Sequence, residues 1–285
     1  MFKKFENLVD PFAPFPDETP PAGLWAYMKT QLYPFRKWLP LMAFLGVLTA
    51  VMESGLIFYS GRVIDLMNDT GVPEFWNAHG TELLLAGLFV LFLRPLVITF
   101  NHVFLEQTLA SNMQEQARWR AHKHLLGQST EFFQNDFAGR LANRVMQMGP
   151  AMEDSTYMAL EGIWYAAIYV LGAILVLSQI DIRLAVPMAI WLLVYTLFVK
   201  RIATRVAKAS ERMSETKSLV TGRIVDAYAN IESVKLFAHG KREEDYALSA
   251  MKRQRLRFQR FLRLMTILTF NLATMNGFLM VGVIG

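Results

Sequence analysis

The chain has 285 residues, of which 53% are hydrophobic, 13% aromatic and 19% charged, against roughly 45–50% apolar and about 25% charged in typical soluble domains. It contains no cysteine, which excludes disulfides, thiolate catalysis and iron–sulfur clusters. The net charge of +5 would suggest a nucleic-acid partner in a soluble chain. However, the apolar residues form five runs of about 20 residues, the length that crosses a bilayer. An all-α integral membrane protein is therefore predicted.

The first 38 residues are predicted to lead into the membrane without forming a cleavable signal. Lys3 and Lys4 are not followed by the apolar core that a signal peptide requires. Residues 1–23 are rich in proline and are expected to form an extended cytoplasmic arm, either a solvated tail or a docking arm. Residues 24–38 mix aromatic and basic side chains, which suit the interface between lipid headgroups and water, and predict an interfacial elbow helix.

The connections between the predicted spans differ in length: two are long polar loops, residues 106–156 and 200–260, and two are short. Five Lys or Arg residues precede the first span, five lie in the first long loop and fifteen in the second, whereas the two short connections carry only Arg62 and Arg183. The positive-inside rule therefore places the N-terminus and both long loops in the cytoplasm, with the cell (inner) membrane as the expected location. The predicted spans are at about residues 39–60, 83–103, 158–178, 180–199 and 261–285.

Residues 210–245 of the second long loop have apolar side chains at helical spacing, with charged residues such as Lys217 and Asp226 between them. This pattern predicts an amphipathic helix outside the lipid. A helical hairpin of about 50 to 60 residues would reach on the order of 35–40 Å into the cytoplasm. Neither a simple pore nor an enzyme scaffold requires this reach, so the loops are predicted to transmit movement from a cytoplasmic partner.

Polar side chains within the spans are candidate functional groups, because such groups are costly in lipid. Glu53 and Arg94 lie at similar depths in antiparallel spans. They either pair with each other or separately line an aqueous route. Asn271 and Asn276 of the last span either face a cavity or bond a neighbouring helix.

Neither a metal site nor a nucleic-acid site is predicted. His122 and His124 are two residues apart and face different sides of a helix, which argues against a shared metal ion. The basic run at residues 252–260 immediately precedes the fifth span on its cytoplasmic side. Anionic headgroups attract bases there, so membrane anchoring is expected instead of nucleic-acid binding. The remaining histidines are scattered: His79, His102 and His239.

Two motifs in the long loops resemble those of ATP-binding-cassette exporters. Residues 132–145 contain a paired Phe, a polar turn, a Gly and an Arg five positions later, as does the first intracellular loop of that family. Residues 230–237, with Asp226 before them and Glu243 or Glu244 after them, resemble the second loop and its Val-Lys-x-Phe ending. Gln147 departs from the family, which often has an Asp three residues after the Arg.

The resemblance implies a type-1 exporter transmembrane domain with long cytoplasmic helical extensions. In that family each long loop contains a short coupling helix, which lies against a nucleotide-binding domain and tilts the membrane helices as that domain closes. The expected contact surfaces are residues 136–144 and 219–230. For Arg140 and Arg144 a solvated i,i+4 face is the alternative role. The residues expected to contribute to coupling are Asp136, Gly139, Arg140, Arg144, Arg223, Asp226, Tyr228 and Asn230.

ATP hydrolysis is not expected from these 285 residues. They contain no GxxxxGK[ST] phosphate loop, which cradles nucleotide phosphates, and no catalytic, cofactor-binding or metal-binding residue is predicted. The resemblance implies a sixth span beyond the five present, and a nucleotide-binding domain that holds ATP and Mg²⁺. That domain is expected either C-terminal to this sequence or on a separate subunit.

The function expected from the resemblance is the membrane-spanning part of an ATP-driven exporter, with a translocation path for an unknown substrate. A second transmembrane domain is the expected partner, in a homodimer or heterodimer, because five or six spans enclose a large solute poorly. The alternative is a truncated, non-transporting membrane scaffold or regulatory protein. An ion channel or secondary transporter is disfavoured, since no inverted repeat or broken helix is evident.

Overall fold

The computed structural model describes residues 2–16, 19–70, 72–236 and 240–284. Within these residues the regular structure is helical and contains no strand. Five of the continuous helices are long and apolar enough to cross a membrane. The prediction of an all-α chain with five spans is therefore confirmed. These helices are Leu39–Asn68, Phe75–Leu126, Ala138–Gln179, Ile182–Ala229 and Gly240–Val283.

Each spanning helix is longer than the apolar run that predicts it, because the helix continues into polar sequence at one or both ends. Three wide π-helical turns interrupt the α-helical pattern, at Phe89–Leu93, Phe104–Ala110 and Met158–Trp164. The α-helices are α1 (Lys3–Glu6), α2 (Leu24–Leu32), α3 (Leu39–Thr70), α4 (Val72–Leu88), α5 (Arg94–Val103), α6 (Ser111–Leu126), α7 (Thr130–Gln134), α8 (Ala138–Tyr157), α9 (Tyr165–Ile180), α10 (Ile182–Ala229), α11 (Ile231–Leu236) and α12 (Gly240–Ile284).

The chain divides into two compact units, which are described separately. The first comprises Met1–Ala121 and Met148–Ile180, and the second His122–Gln147 and Asp181–Gly285. In the first unit, α3 packs along α9 and against α5. In the second unit, α10 and α12 pack along each other, and this is the most extensive helix–helix contact in that unit. Asp181 caps α10, since its Oδ1 accepts a 2.8 Å hydrogen bond from the N–H of Arg183.

The core of the first unit is built from the N-terminal residues, α2, the π turn Phe104–Ala110 and α6. Phe35 and Met113 are fully buried in it. Val9 is only 6% exposed, and the Phe5 ring lies 5.3 Å from the Phe104 ring, edge to face. Of the two alternatives for this arm, these contacts favour docking over a solvated tail, and the assignment of residues 1–23 as a cytoplasmic arm stays a prediction. Apolar side chains between the charges and prolines bury enough surface to hold this segment on its own chain.

Candidate functional site

The first polar loop turns through a short helix at its tip. After α6 ends at Leu126, the Ser129 hydroxyl accepts a hydrogen bond of 3.2 Å from the N–H of Phe132 and caps α7. Phe132 and Phe133 are 37% and 41% exposed, with perpendicular rings whose centroids are 5.6 Å apart. The short crossing helix is thus Thr130–Gln134, and residues 138–144 are the first turns of the long α8. The contact surface at residues 136–144 stays a prediction.

Asp136 and Arg140 form an ion pair at the start of α8. Nε of Arg140 donates to Oδ1 of Asp136, and Nη2 donates to Oδ2 at 2.5 Å. The Asp136 carboxylate also accepts a 2.7 Å bond from the N–H of Phe137. The hydrogen bond from Arg140 is the main cause that lowers the pKa of Asp136, and the charge of Arg144 adds to it. Arg144 itself is exposed. Arg140 is therefore a partner of Asp136 and not a free surface charge.

Gly139 lies where α8 meets α10 at very close range. A Cβ added to Gly139 would stand 2.5 Å from the Cβ of Val225, a distance that real side chains do not reach. One turn earlier on α10, a Cβ on Gly222 would stand 3.1 Å from the Cβ of Arg140. The absence of a side chain at both glycines therefore permits this crossing.

Further along α8 from Gly139, polar side chains join the same two helices by hydrogen bonds at intervals of one turn. Asn143 Nδ2 donates to Ser218 Oγ at 3.1 Å, and Ser214 Oγ donates to Gln147 Oε1 at 3.0 Å. Gln147 is the residue that departs from the family motif, and its amide supplies the acceptor here. The rungs follow a spacing of four residues on each helix, so they lie on one face of each. This helical pair is referred to below as the α8–α10 ladder.

The second polar loop is built like the first, from two long helices joined by a short one. Its short helix follows the segment 219–230, which was predicted as the contact surface. Residues 219–230 are the last turns of α10 with its cap and not a separate helix. Their role as the second contact surface stays a prediction. Asn230 ends α10: its N–H and its Nδ2 donate to the carbonyl of Asp226 at 3.1 and 3.0 Å. The short helix α11 follows immediately. Phe237 of the matched motif, and His239, lie outside the described residues.

Arg223 is held by its own chain. Its guanidinium carbon stands 3.7 Å from the centre of the Tyr246 ring, and its Nη1 donates to the Tyr246 carbonyl at 2.6 Å and to Ser249 Oγ at 3.0 Å. These contacts fasten α10 to α12. Of the residues predicted for coupling, Arg223 therefore packs between helices, whereas Tyr228 is 71% exposed.

Apolar side chains project around α11. Ile231 and Leu236 are 41% and 80% exposed. An open groove of about 590 Å³ lies beside Ile231, between the end of α10, α11 and the start of α12. Its lining mixes apolar residues with Lys235 and Glu243. Both loop tips thus present a short helix with exposed apolar residues, a surface typical of protein–protein contacts.

Within the first unit the structure brings Glu53 and Arg94 together. Nε of Arg94 donates to Oε1 of Glu53 at 2.7 Å. A second polar pair was not predicted: Asn101 Nδ2 donates to Glu161 Oε1 at 2.7 Å. The signal for it was in the sequence, since Glu161 is a carboxylate inside the third predicted span.

Among the described residues, the two asparagines of the last span form no hydrogen bond with a neighbouring helix. Asn271 Nδ2 donates to the carbonyl of Ile267 in its own helix at 2.7 Å, and Asn276 is exposed. Their assignment to a cavity or to a partner helix stays a prediction. Within the part of the chain that the structure describes, there is no group of three or more His, Cys, Asp or Glu side chains placed to bind a metal ion.

Comparison with known proteins places these features in context. Residues 39–284 match the family model described as the ABC transporter transmembrane region. Over 254 residues, the chain is 33% identical to an uncharacterized ABC transporter ATP-binding protein of Haemophilus influenzae, covering 88% of this chain and 41% of that protein. Over 207 residues it is 22% identical to the putative multidrug export ATP-binding/permease protein YgaD of Bacillus subtilis, covering 72% of this chain and 36% of that protein.

The fold is similar to that of a solved exporter. A structure of a bacterial Atm1-family ABC exporter with ATP bound superposes with a TM-score of 0.71 at 19% identity, covering 88% of this chain and 43% of that one. The chain thus spans about two fifths of the length of the relatives that it matches.

Proposed function

The chain belongs to the family of ABC transporter transmembrane regions, and from that premise we propose that it lines an export path moved by a nucleotide-binding domain, which docks on α7 and α11. It is a multi-pass membrane protein and the transmembrane part of an ABC exporter. The observation that carries the proposal is that both polar loops end in a short helix of five or six residues with exposed apolar side chains.

Short helices of this kind suit the transmission of movement. Each is joined to two long helices, α6 and α8 on one side and α10 and α12 on the other. A force on the short helix therefore acts on both of its neighbours. Phe132, Phe133, Ile231 and Leu236 would supply the buried centre of the contact, and Tyr228 its edge.

The partners follow from the same proposal. The sequence has no phosphate loop, so its residues do not fit ATP and Mg²⁺ by that route, and both would be held by the nucleotide-binding domain. A second transmembrane domain would complete the path, in a homodimer or heterodimer. The excess of Lys and Arg in the long loops supports a cytoplasmic position for the loops and the N-terminus, in the cell (inner) membrane. Residues 1–23 would then lie in the cytoplasm, with residues 24–38 at the membrane interface.

A co-purification experiment tests the docking surface. The full chain would be co-expressed with a nucleotide-binding domain that is encoded either in the same reading frame or by a neighbouring gene. The amount of captured domain would be measured after detergent extraction. We expect Phe133→Asp with Leu236→Asp to lower capture about tenfold or more, because a buried charge at an interface centre is costly. Met146→Asp is the control, since Met146 is 57% exposed on α8 and lies outside both tips.

Unchanged capture by the double variant would contradict docking at α7 and α11. Wild-type chain that captures no nucleotide-binding domain at all would favour the non-transporting scaffold instead.

A further inference from the structure

The first 15 described residues form a segment that packs on its own chain through a few side chains, and the transport function does not explain it. This segment, residues 2–16, is named the strap below. It lies on the π turn Phe104–Ala110: the Phe5 ring meets Phe100 and Phe104 edge to face, at 6.1 and 5.3 Å. Val9 belongs to the same buried cluster as Phe104, Leu105 and Leu109, which are 1–3% exposed. The strap therefore covers the π turn.

A stripe of four polar side chains fastens this region. Thr108, Asn112, Gln116 and Arg120 are spaced four residues apart and share one helix face. Thr108 Oγ1 donates to the Phe5 carbonyl at 3.1 Å, and Asn112 Nδ2 donates to the Glu6 carbonyl at 2.8 Å. Both carbonyls are at the end of α1, where helical carbonyls lack partners within the helix.

The other half of the stripe binds the end of α2 in the same way. Gln116 Nε2 donates to the Gln31 carbonyl at 2.8 Å, and Arg120 Nη1 donates to the Thr30 carbonyl at 3.1 Å. The Thr30 carbonyl needs such a donor, because the residue four positions on is Pro34, which has no N–H. One face thus caps both short N-terminal helices.

Aromatic contacts continue the attachment beyond α1. The Phe12 ring lies 6.2 Å from the Trp119 ring, edge to face, and the Arg120 guanidinium stands 4.8 Å from the centre of the Phe15 ring. The strap is therefore attached along residues 5–15, from the π turn to the end of the stripe.

We propose that the strap holds the π turn in place and thereby fixes the rotation of α6 about its own axis. A π turn contains one residue more per hydrogen-bonded ring than an α turn and is the less stable form, so it persists where packing favours it. The buried contacts of the strap and the two hydrogen bonds from Thr108 and Asn112 are made with the π turn and the first turn of α6. Without them the π turn is free to rewind as α-helix.

Rewinding has a defined geometric result. Loss of one residue from a turn rotates the helix that follows by about one residue, ~100°. In the first unit Gln114 of α6 now faces α8, with its Nε2 donating to Oε2 of Glu153. Met113 already meets α8 one turn further on, where its sulfur accepts a hydrogen bond from Thr156. A rotation of this size would bring Met113 or Glu115 opposite Glu153 in place of Gln114. The strap would thus set which face of α6 meets α8.

The experiment compares the full chain in lipid nanodiscs with a variant lacking residues 2–16. The chain has no cysteine, so pairs placed at Gln114→Cys or Met113→Cys or Glu115→Cys, each with Glu153→Cys, report the facing residue through a short bifunctional crosslinker with two thiol-reactive groups. We expect the 114–153 pair to crosslink in the intact chain and an adjacent pair to replace it in the truncated chain. Amide exchange in residues 104–112 should accelerate about tenfold.

A second variant keeps the proposal testable if the truncation does not fold. Thr108→Val with Asn112→Leu removes both hydrogen bonds to α1 and should shift crosslinking and exchange in the same direction. Thr196→Val is the matched control, because the Thr196 hydroxyl donates to the carbonyl of Leu192 in its own helix, outside the strap and the π turn, and should change neither. Crosslinking that stays at 114–153 after loss of the strap would overturn the proposal, whether or not exchange accelerates.

Discussion

Nε of Arg94 and Oε1 of Glu53 are 2.7 Å apart, in two helices of the first unit that each belong to a predicted span. Where this part of the two helices lies in lipid, water cannot solvate a charge whose partner has been removed. Removal of one charge therefore leaves the other uncompensated. The pair joins α3 to the start of α5, directly after the π turn Phe89–Leu93. It is therefore expected to tie these two spans together.

A double-mutant cycle measures this pair. We expect Glu53→Gln and Arg94→Gln each to destabilise the chain in detergent, and the double variant to be more stable than the sum predicts, with a coupling energy of about 0.5–3 kcal/mol. Arg62 and Glu82 form the control pair at 3.3 Å, with side chains 56% and 35% exposed, and should couple by about 1 kcal/mol or less. Simple additivity of the Glu53 and Arg94 effects would contradict the pairing.

The crossing of α8 and α10 predicts an intolerance to a single methyl group. Gly139→Ala should lower the free energy of unfolding by about 1–3 kcal/mol, because the new Cβ overlaps Val225. Val225→Ala should restore only a small part of this loss, because it removes the two Cγ atoms but keeps the Cβ that stands closest. Gly277→Ala is the control, since nothing lies within 4 Å of its added Cβ. A thermal melt in which Gly139→Ala matches wild type would show that the helices separate freely at this point.

Arg223 is predicted to stabilise the packing of α10 on α12. Arg223→Ala should cost about 1–2 kcal/mol of stability, from the lost stacking and hydrogen bonds. Arg223→Lys should recover little of it, because an ammonium lacks the planar fork that stacks on Tyr246 while it donates to Ser249. Arg205→Ala, at an exposed arginine of the same helix, serves as control. An effect on capture of the nucleotide-binding domain without any loss of stability would instead support direct contact of Arg223 with that domain.

The Asp136–Arg140 pair predicts a pH dependence at the start of α8. The pKa of Asp136 is lowered in the folded chain, chiefly by the hydrogen bond from Arg140. Its contribution to stability is therefore fully present above the ordinary Asp pKa of about 3.9, and is lost as the pH falls through the lower folded value. The protection factors of the amides in the first turn of α8, which are exchange rates corrected for the intrinsic pH dependence of amide exchange, should fall at that low pH in the wild type. Asp136→Asn should lower these protection factors at every pH, and a further fall with decreasing pH in that variant would rule out Asp136 as the titrating group.

The helices and the five spans could be predicted because long apolar runs and helical spacing are local properties of the sequence. The positions of the short helices could not. The motif match drew attention to Gly139 and Arg140, whereas the break in the chain is set by the cap at Ser129 and, in the second loop, by Asn230. Gly139 matches the motif but serves a helix crossing, a long-range contact that one sequence does not reveal.

The N-terminal segment shows a second limit. Its prolines favour an extended, solvated chain, and that preference was outweighed by burial of Phe5 and Val9 against residues about 100 positions away. The stripe from Thr108 to Arg120 would have been visible as a four-residue period of polar residues. Its acceptors are backbone carbonyls, however, and these leave no mark on the sequence.

The regular spacing of the α8–α10 ladder limits how the two helices can slide past each other. Its rungs at Gln147–Ser214 and Asn143–Ser218 repeat every four residues, about 6 Å along each axis. Small displacements break both rungs together, whereas a displacement of one full rung offers Asn143 the Ser214 hydroxyl in place of Ser218. Axial movement in this unit would therefore have to break both rungs before a new pairing could form.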